Sequence, residues 1–327
     1  MGNQGHANDD TRATKEWIAA GVIGTVREVH SWTNRPIWPQ GVNWPKPGDG
    51  PPSKGKTKDK GKDKGKGGKG NKKGAAAPAP AAAAAPKGPP DNFDWNLWLG
   101  VAPYRDFLPN LHPFNWRGFW DYGCGALGDM GCHIMDAPFW ALNLTGNCKV
   151  TAESDDAGTM AISAPKASTV KYEFPARGSL PAITYTWHDG GRKPPAPKEL
   201  GDKELIQGGT LYIGDKGVMY SPDDYGKKIQ LLPESKMKAF TTEKRPKPTI
   251  ARVPKQNPYF EWISAILGAG PAPGSNIADY SADLTEFVSL GNLALRTGKP
   301  IQWDAATGTC VGNPEAQILV NKHYRKF

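Results

Sequence analysis

Hydrophobic positions near the N-terminus predict one helix and one strand. A helical period over residues 9–20 places Ala13 and Trp17 on one face, and Gly21 lies where a glycine commonly ends a helix. Asp9 or Asp10 supplies the helix cap. β-Branched and aromatic residues then predict a strand over 26–33. Further along, residues 128–136 predict a polar helix, followed by a turn at Pro138.

Short apolar runs separated by glycine turns predict several strands between residues 149 and 232, namely 169–174, 182–188, 210–213 and 218–220. Residues 233–256 are rich in Pro and Lys and predict extended chain. Two helices follow, over 258–267 and 281–297. Their apolar faces are Tyr259, Trp262, Ile263 and Ile266 in the first and Leu284, Phe287, Val288 and Leu295 in the second. Strands followed by helices, without strict alternation, indicate an α+β fold with a largely antiparallel sheet.

The charge of the chain is concentrated in one segment. The 327 residues carry a net charge of +9, and residues 46–90 alone hold 12 Lys and 3 Asp in a Lys-Gly, Lys-Asp and Ala-Pro repeat. This segment has nothing to bury, so we expect a disordered insertion, with a tether to an anionic surface or polymer as the alternative. The rest of the chain is electrically balanced, which argues against a nucleic-acid-binding surface on the folded part.

A few sequence features bear on the cellular location of the protein. No run of 18 apolar residues is present, so we predict no membrane span. The first six residues lack the apolar core of a signal peptide, which favours the cytoplasm by default, or export if a signal lies upstream. The four cysteines form no CxxC pair and leave the redox compartment open.

Candidate chemistry concentrates between residues 115 and 136. On a helix over 128–136, Asp129, His133 and Asp136 fall at i, i+4 and i+7 and share one face. A His oriented by carboxylates suits general acid–base catalysis, while a satisfied polar helix face is the alternative. A metal site would need ligands beyond Asp129 and His133, and we predict none. Gly123, Gly125 and Gly128 match a dinucleotide fingerprint, but no buried strand precedes them.

Aromatic residues are interleaved with planar polar groups at residues 32–38 and 115–121. Indole faces cover the C–H faces of a sugar while amide, guanidinium and carboxylate groups bond its hydroxyls. An aromatic core with surface charges is the alternative. The resulting candidate contacts for a sugar or polyol are Arg35, Asn115, Trp116, Arg117, Asp121 and Asp136.

Four motifs resemble the glucose–fructose oxidoreductase/inositol dehydrogenase (Gfo/Idh/MocA) family. They are EVHSWTNRPIWPQG at 28–41, DWNLWLG at 94–100, HPFNWR at 112–117 and GALGDMGCHIMD at 125–136. The resemblance implies an NAD(P)-dependent oxidoreductase of sugars or polyols, with an N-terminal Rossmann domain and a C-terminal α/β domain. It also implies an open sheet with helices on one face, which mediates homo-oligomerisation. Asp129 and His133 match the family's Asp-x-x-x-His pair, in which the His transfers a proton.

The resemblance also divides the chain. Residues 1–24 resemble the end of a Rossmann domain, with Asn3, Gln4 and His6 as candidate cofactor contacts, while the glycine-rich nucleotide loop and the Glu-Lys-Pro motif of the family are absent. Residues 25–45 and 91–300 would form the substrate-binding and oligomerisation domain, with the insertion at 46–90 and a C-terminal tail at 301–327. The resemblance implies NAD or NADP as the cofactor of a complete enzyme, and it leads us to expect that this chain lacks most of the domain that binds it.

Two other functions stay open. The first is a non-catalytic carbohydrate-binding or assembly protein derived from the family. The second is a variant that cleaves glycosides through transient oxidation and still needs the cofactor. Bound nicotinamide would distinguish the binding protein from both enzymes, and release of a free sugar would distinguish the two enzymes.

Overall fold

The computed structural model describes residues 2–44, 88–155 and 160–326. The predicted insertion at 46–90 lies outside these ranges except for its last three residues. Eight α-helices are present in the described ranges: α1 (Asp9–Ala19), α2 (Trp95–Leu99), α3 (Gly125–Ile134), α4 (Asp136–Leu142), α5 (Glu234–Ala239), α6 (Pro258–Ile266), α7 (Ala282–Thr297) and α8 (Pro314–Val320). Among these residues, no helix is long and apolar enough to cross a bilayer.

One nine-stranded sheet organises the described residues. Its strands are β1 (Val26–Trp32), β2 (Cys148–Ser154), β3 (Ser168–Phe174), β4 (Ile183–His188), β5 (Gly209–Gly214), β6 (Gly217–Ser221), β7 (Gln230–Leu232), β8 (Ile301–Asp304) and β9 (Thr309–Cys310). They lie in the order β7-β6-β5-β1-β4-β3-β2-β8-β9. Every pair is antiparallel except β1 with β4. The prediction of an α+β fold with an open, mostly antiparallel sheet is confirmed.

The main core lies between this sheet and α7. Val29 of β1 is in register with Tyr185 of β4 and Tyr212 of β5, and all three are almost fully buried. Phe287 of α7 lies against the same layer, with its ring centre 4.6 Å from that of Tyr172 and 5.2 Å from that of Tyr185. The predicted apolar face of α7 is therefore its buried face, and Gly298 ends the helix in the left-handed conformation.

Three local expectations differ from the structure. Pro138 lies within α4 instead of in a turn, because the first turn of a helix has free N–H positions and tolerates proline. The segment 233–256 is not wholly extended, since it contains α5 and two short 3-10 turns. The apolar face of α6 is exposed: Trp262 and Ile266 are 58% and 66% accessible.

Both ends of the chain pack into the same body. Helix α1 lies against α4, where Lys15 donates a hydrogen bond to the carbonyl oxygen of Trp140 at 3.2 Å. At the other end, β8 pairs with β2 and β9 pairs with β8. The residues predicted as an N-terminal remnant and a C-terminal tail thus contribute two α-helices, α1 and α8, and two strands to this fold. The proposed domain boundaries themselves stay predictions.

Candidate functional site

Helix α3 carries the two residues predicted to be catalytic. It lies against α7, with Met130 and Ile134 buried on the packed side. Asp129 and His133 lie one turn apart and are half-buried. The helix ends at Ile134 and α4 begins at Asp136, so the third predicted member of the face belongs to the next helix.

His133 has an unpaired ring nitrogen beside carboxylates. Its Nδ1 is buried and has no hydrogen-bond partner among the described residues. Burial lowers the pKa of His133 below its ordinary value, although the charges of Asp129 and Asp136 act in the opposite direction. The Tyr225 ring lies edge-on to the imidazole, with 5.2 Å between ring centres. An imidazole held neutral in this way can accept a proton near neutral pH.

Asp129 is held by Arg117. The Arg117 Nε donates to the Asp129 Oδ1 at 3.1 Å, and both side chains keep more than a quarter of their surface accessible. The guanidinium also lies over aromatic rings, 4.7 Å from the ring centre of Trp116 and 4.8 Å from that of Phe114. The structure therefore joins the predicted residues Trp116, Arg117, Asp129 and His133 into one continuous group.

Asp136 lies in a second, fully buried group. Its carboxylate accepts hydrogen bonds from the Asn3 Nδ2 at 2.9 Å and the Tyr280 hydroxyl at 2.7 Å. The His6 Nδ1 lies 3.1 Å from both carboxylate oxygens. Since a carboxylate only accepts, that ring nitrogen carries its hydrogen. Asp136 is 1% exposed and all its contacts lie inside the protein, so substrate binding by Asp136 stays a prediction from the sequence.

The other predicted residues are held by partners outside this group or face solvent. Asp121 accepts a hydrogen bond from the Arg105 Nε at 2.6 Å. Asn115 donates to the carbonyl oxygen of Asn110, and Arg35 donates to the side chain of its neighbour Asn34. Gln4 is exposed, unlike Asn3 and His6.

Sequence patterns missed Tyr225, Tyr280 and Arg105. Each lies far along the chain from its partner or in a segment without a recognisable motif. No local pattern in residues 100–111 singles out Arg105.

The described residues offer no ready dinucleotide or metal site. The glycines that match a dinucleotide fingerprint are used in packing, because a Cβ at Gly123 would lie 2.5 Å from the Arg117 carbonyl oxygen. A Cβ at Gly128 would overlap the Cys124 Cβ. Within the same described ranges, no group of three or more His, Cys, Asp or Glu side chains could hold a metal ion.

One segment of the chain is similar to a known protein family. Residues 81–192 match the Gfo/Idh/MocA family profile described as "Oxidoreductase family, C-terminal alpha/beta domain". The predicted family resemblance is confirmed over this segment, which contains Asp129 and His133. A search of curated proteins finds no match.

Solved structures of longer oxidoreductases are similar at low identity. WlbA dehydrogenase from Bordetella pertussis, in complex with NADH and UDP-GlcNAcA, is 12% identical over 91% of this chain and 61% of its own, with a TM-score of 0.48. An inositol dehydrogenase homolog from Azotobacter vinelandii, complexed with NADH and myo-inositol, is 11% identical over 92% and 63%, with a TM-score of 0.45. The present chain therefore spans about three fifths of the length of these proteins.

Proposed function

We propose that this chain, whose residues 81–192 match the C-terminal alpha/beta domain of the Gfo/Idh/MocA oxidoreductases, is the substrate-binding and proton-transferring part of an NAD(P)-dependent oxidoreductase of a sugar or polyol. One observation carries the proposal. Within the matched segment, the half-buried His133 has an unpaired Nδ1 and a lowered pKa, and it lies one helical turn from Asp129.

In this proposal His133 takes the proton of the reacting hydroxyl. The O–H bond of the substrate breaks, and the proton moves to the neutral imidazole of His133 through the ring nitrogen that is not buried. Asp129 favours the imidazolium that forms, since its negative charge raises the pKa of His133. Arg117 keeps Asp129 in place through their 3.1 Å ion pair.

Substrate contacts are proposed for the aromatic and charged residues beside this pair. Trp116 offers an indole face, and Arg117 and Asp121 offer charged hydrogen-bonding groups of opposite sign. Arg35 and Asn115 stay predictions for the same role. Homo-oligomerisation through the open sheet is likewise proposed from the family resemblance.

The cofactor is NAD or NADP in this proposal, but the described residues do not fit a dinucleotide site. A pyrophosphate is normally held by a glycine-rich turn between a buried parallel strand and a helix, and the described ranges contain no such turn. Of the predicted cofactor contacts, Asn3 and His6 are directed at Asp136, and only Gln4 faces solvent. The assignment of these three residues stays a prediction.

Turnover by the native protein tests the function. Protein purified from its source is incubated with NAD⁺ or NADP⁺ and a panel of sugars and polyols, and reduced nicotinamide is followed by absorbance. We expect His133→Asn to lower the rate by roughly 10²-fold or more. The matched control is His323→Asn, an exposed histidine near the C-terminus. An unchanged rate in His133→Asn would refute the proton-transfer role.

A non-catalytic carbohydrate-binding protein is the second candidate. The missing dinucleotide turn among the described residues favours it. This candidate predicts that the panel sugars bind by calorimetry while no nicotinamide is reduced by the native protein.

A further inference from the structure

A groove lined by aromatic residues lies beside the His133 group. Its volume is about 400 Å³, and its walls include Trp98, Trp116, Tyr122, Asp121 and Lys322. Small-molecule sites usually measure about 300–1,000 Å³. Trp116 and Asp129 both contact the guanidinium of Arg117, so a single side chain separates this wall of the groove from Asp129.

The aromatic wall is held rigid from behind. The rings of Trp98 and Trp95 stack with 4.8 Å between their centres and 7° between their planes. Trp95 is buried and donates its indole N–H to the Arg105 carbonyl oxygen at 2.7 Å. The Tyr122 ring lies 5.1 Å from Trp98 on another side. Because the Trp98 indole is already rigid and half-exposed, it loses little conformational entropy when the apolar face of a ligand stacks on it.

Charged groups of opposite sign flank the aromatic wall. Asp121 is oriented by Arg105, which donates to its Oδ2 and leaves Oδ1 available as an acceptor. Lys322 supplies a donor from the C-terminal segment. Together they provide a carboxylate acceptor and an ammonium donor at the edges of apolar rings. A sugar ring needs this combination, because it has C–H faces and a rim of hydroxyls.

The C-terminal segment that brings Lys322 to the groove is fixed by Arg325. The Arg325 guanidinium donates to the carbonyl oxygens of Ala102 and Gly100 at 2.8 and 2.7 Å and to the Asn96 Oδ1 at 2.8 Å. Its backbone N–H donates to the Val101 carbonyl oxygen at 3.0 Å. Three hydrogen bonds therefore attach this segment to the loop that follows α2 and a fourth attaches it to α2 itself, so Lys322 forms part of a built wall.

We infer that this groove, here called the Trp98 groove, binds a second sugar ring that is linked to the ring reacting at His133. The substrate is then a glycoside or an oligosaccharide instead of a free monosaccharide. This inference rests on the proposed function for the identity of the first ring. The groove itself is tested by binding, which does not require turnover.

Calorimetry on the full chain compares three disaccharides with their monosaccharides. The pairs are cellobiose with glucose, β-1,4-galactobiose with galactose and β-1,4-mannobiose with mannose. We expect at least one disaccharide to bind about tenfold more tightly than its monosaccharide. The ratio of the disaccharide affinity to the monosaccharide affinity should fall by about threefold or more in Trp98→Ala and in Lys322→Ala. Trp98→Phe should keep most of this ratio, because it keeps an aromatic face.

The control is Lys326→Ala, an exposed lysine of the same segment, which leaves the ratio unchanged. Lys322→Ala changes an exposed side chain and keeps the test valid if Trp98→Ala fails to fold. Equal affinities for every pair, or a ratio that survives both substitutions, would overturn the inference. If the affinity ratio depends on Trp98 but the protein reduces no nicotinamide, sugar binding in the Trp98 groove is supported and only the proposed function is refuted.

Discussion

Replacing Asp136 by Ala tests whether the buried carboxylate joins the N-terminal segment to the rest of the fold. The substitution removes the acceptor of Asn3, His6 and Tyr280 at once. The Tyr280 hydroxyl keeps one partner, because it also lies 3.1 Å from the Asp136 backbone oxygen. Two buried donors are left without acceptors, each costing about 1–3 kcal/mol. We therefore expect the free energy of unfolding to fall by about 2–6 kcal/mol.

Asp129→Ala is the matched control, since it removes the same side chain from the preceding helix. Asp129 makes one partly exposed ion pair, so its loss should cost less than about 1 kcal/mol. Urea unfolding followed by tryptophan fluorescence measures both values. Amide hydrogen exchange adds a local readout, because residues 3–8 should exchange faster in Asp136→Ala only. Equal stabilities for the two variants, with protection unchanged at residues 3–8, would refute this account of the cluster.

Three further outcomes follow from single contacts. Hydrogen bonds from arginine and backbone amides lower the pKa of Glu16 despite the opposing effect of burial. The ionised Glu16 therefore stabilises the fold fully above about pH 4.5, and this stabilisation is lost as the pH falls through the pKa of Glu16 in the folded protein. The free energies of unfolding of Glu16→Gln and wild type, measured by denaturation, should accordingly converge in acid. Gly5→Ala should lower the melting temperature, because a Cβ there lies 2.6 Å from a backbone oxygen, whereas Gly2→Ala has open space and should not. An NMR titration of His133 should give a pKa below 6.5, and Asp129→Asn should lower it further by removing a charge that raises it.

The sequence predicted elements best where periodicity was long or caps were present. Helix α7 has four apolar residues in helical register and a terminal glycine, and both its limits and its buried face agree with the prediction. Helix α6 has an equally clear apolar face, yet that face is exposed. Periodicity reports which side chains share a face, but it does not show what covers the face.

The candidate site was only partly accessible to sequence reasoning. Spacing placed Asp129 and His133 on one face, because both lie on a single helix. The same spacing treated Asp136 as equivalent, although it binds residues more than 130 positions away. Its burial depends on Asn3 and Tyr280, which no local pattern connects to it.

The central position of β1 has a consequence for synthesis of the chain. Val26–Trp32 is synthesised before both of its neighbours, which are β4, ending at His188, and β5, ending at Gly214. Until residue 214 has left the ribosome, the first strand has at least one unpaired edge, and unpaired edges pair readily with other chains. Yield in cells should therefore depend on how long nascent chains wait at this stage, and chaperones that shield extended segments should act before residue 214 emerges.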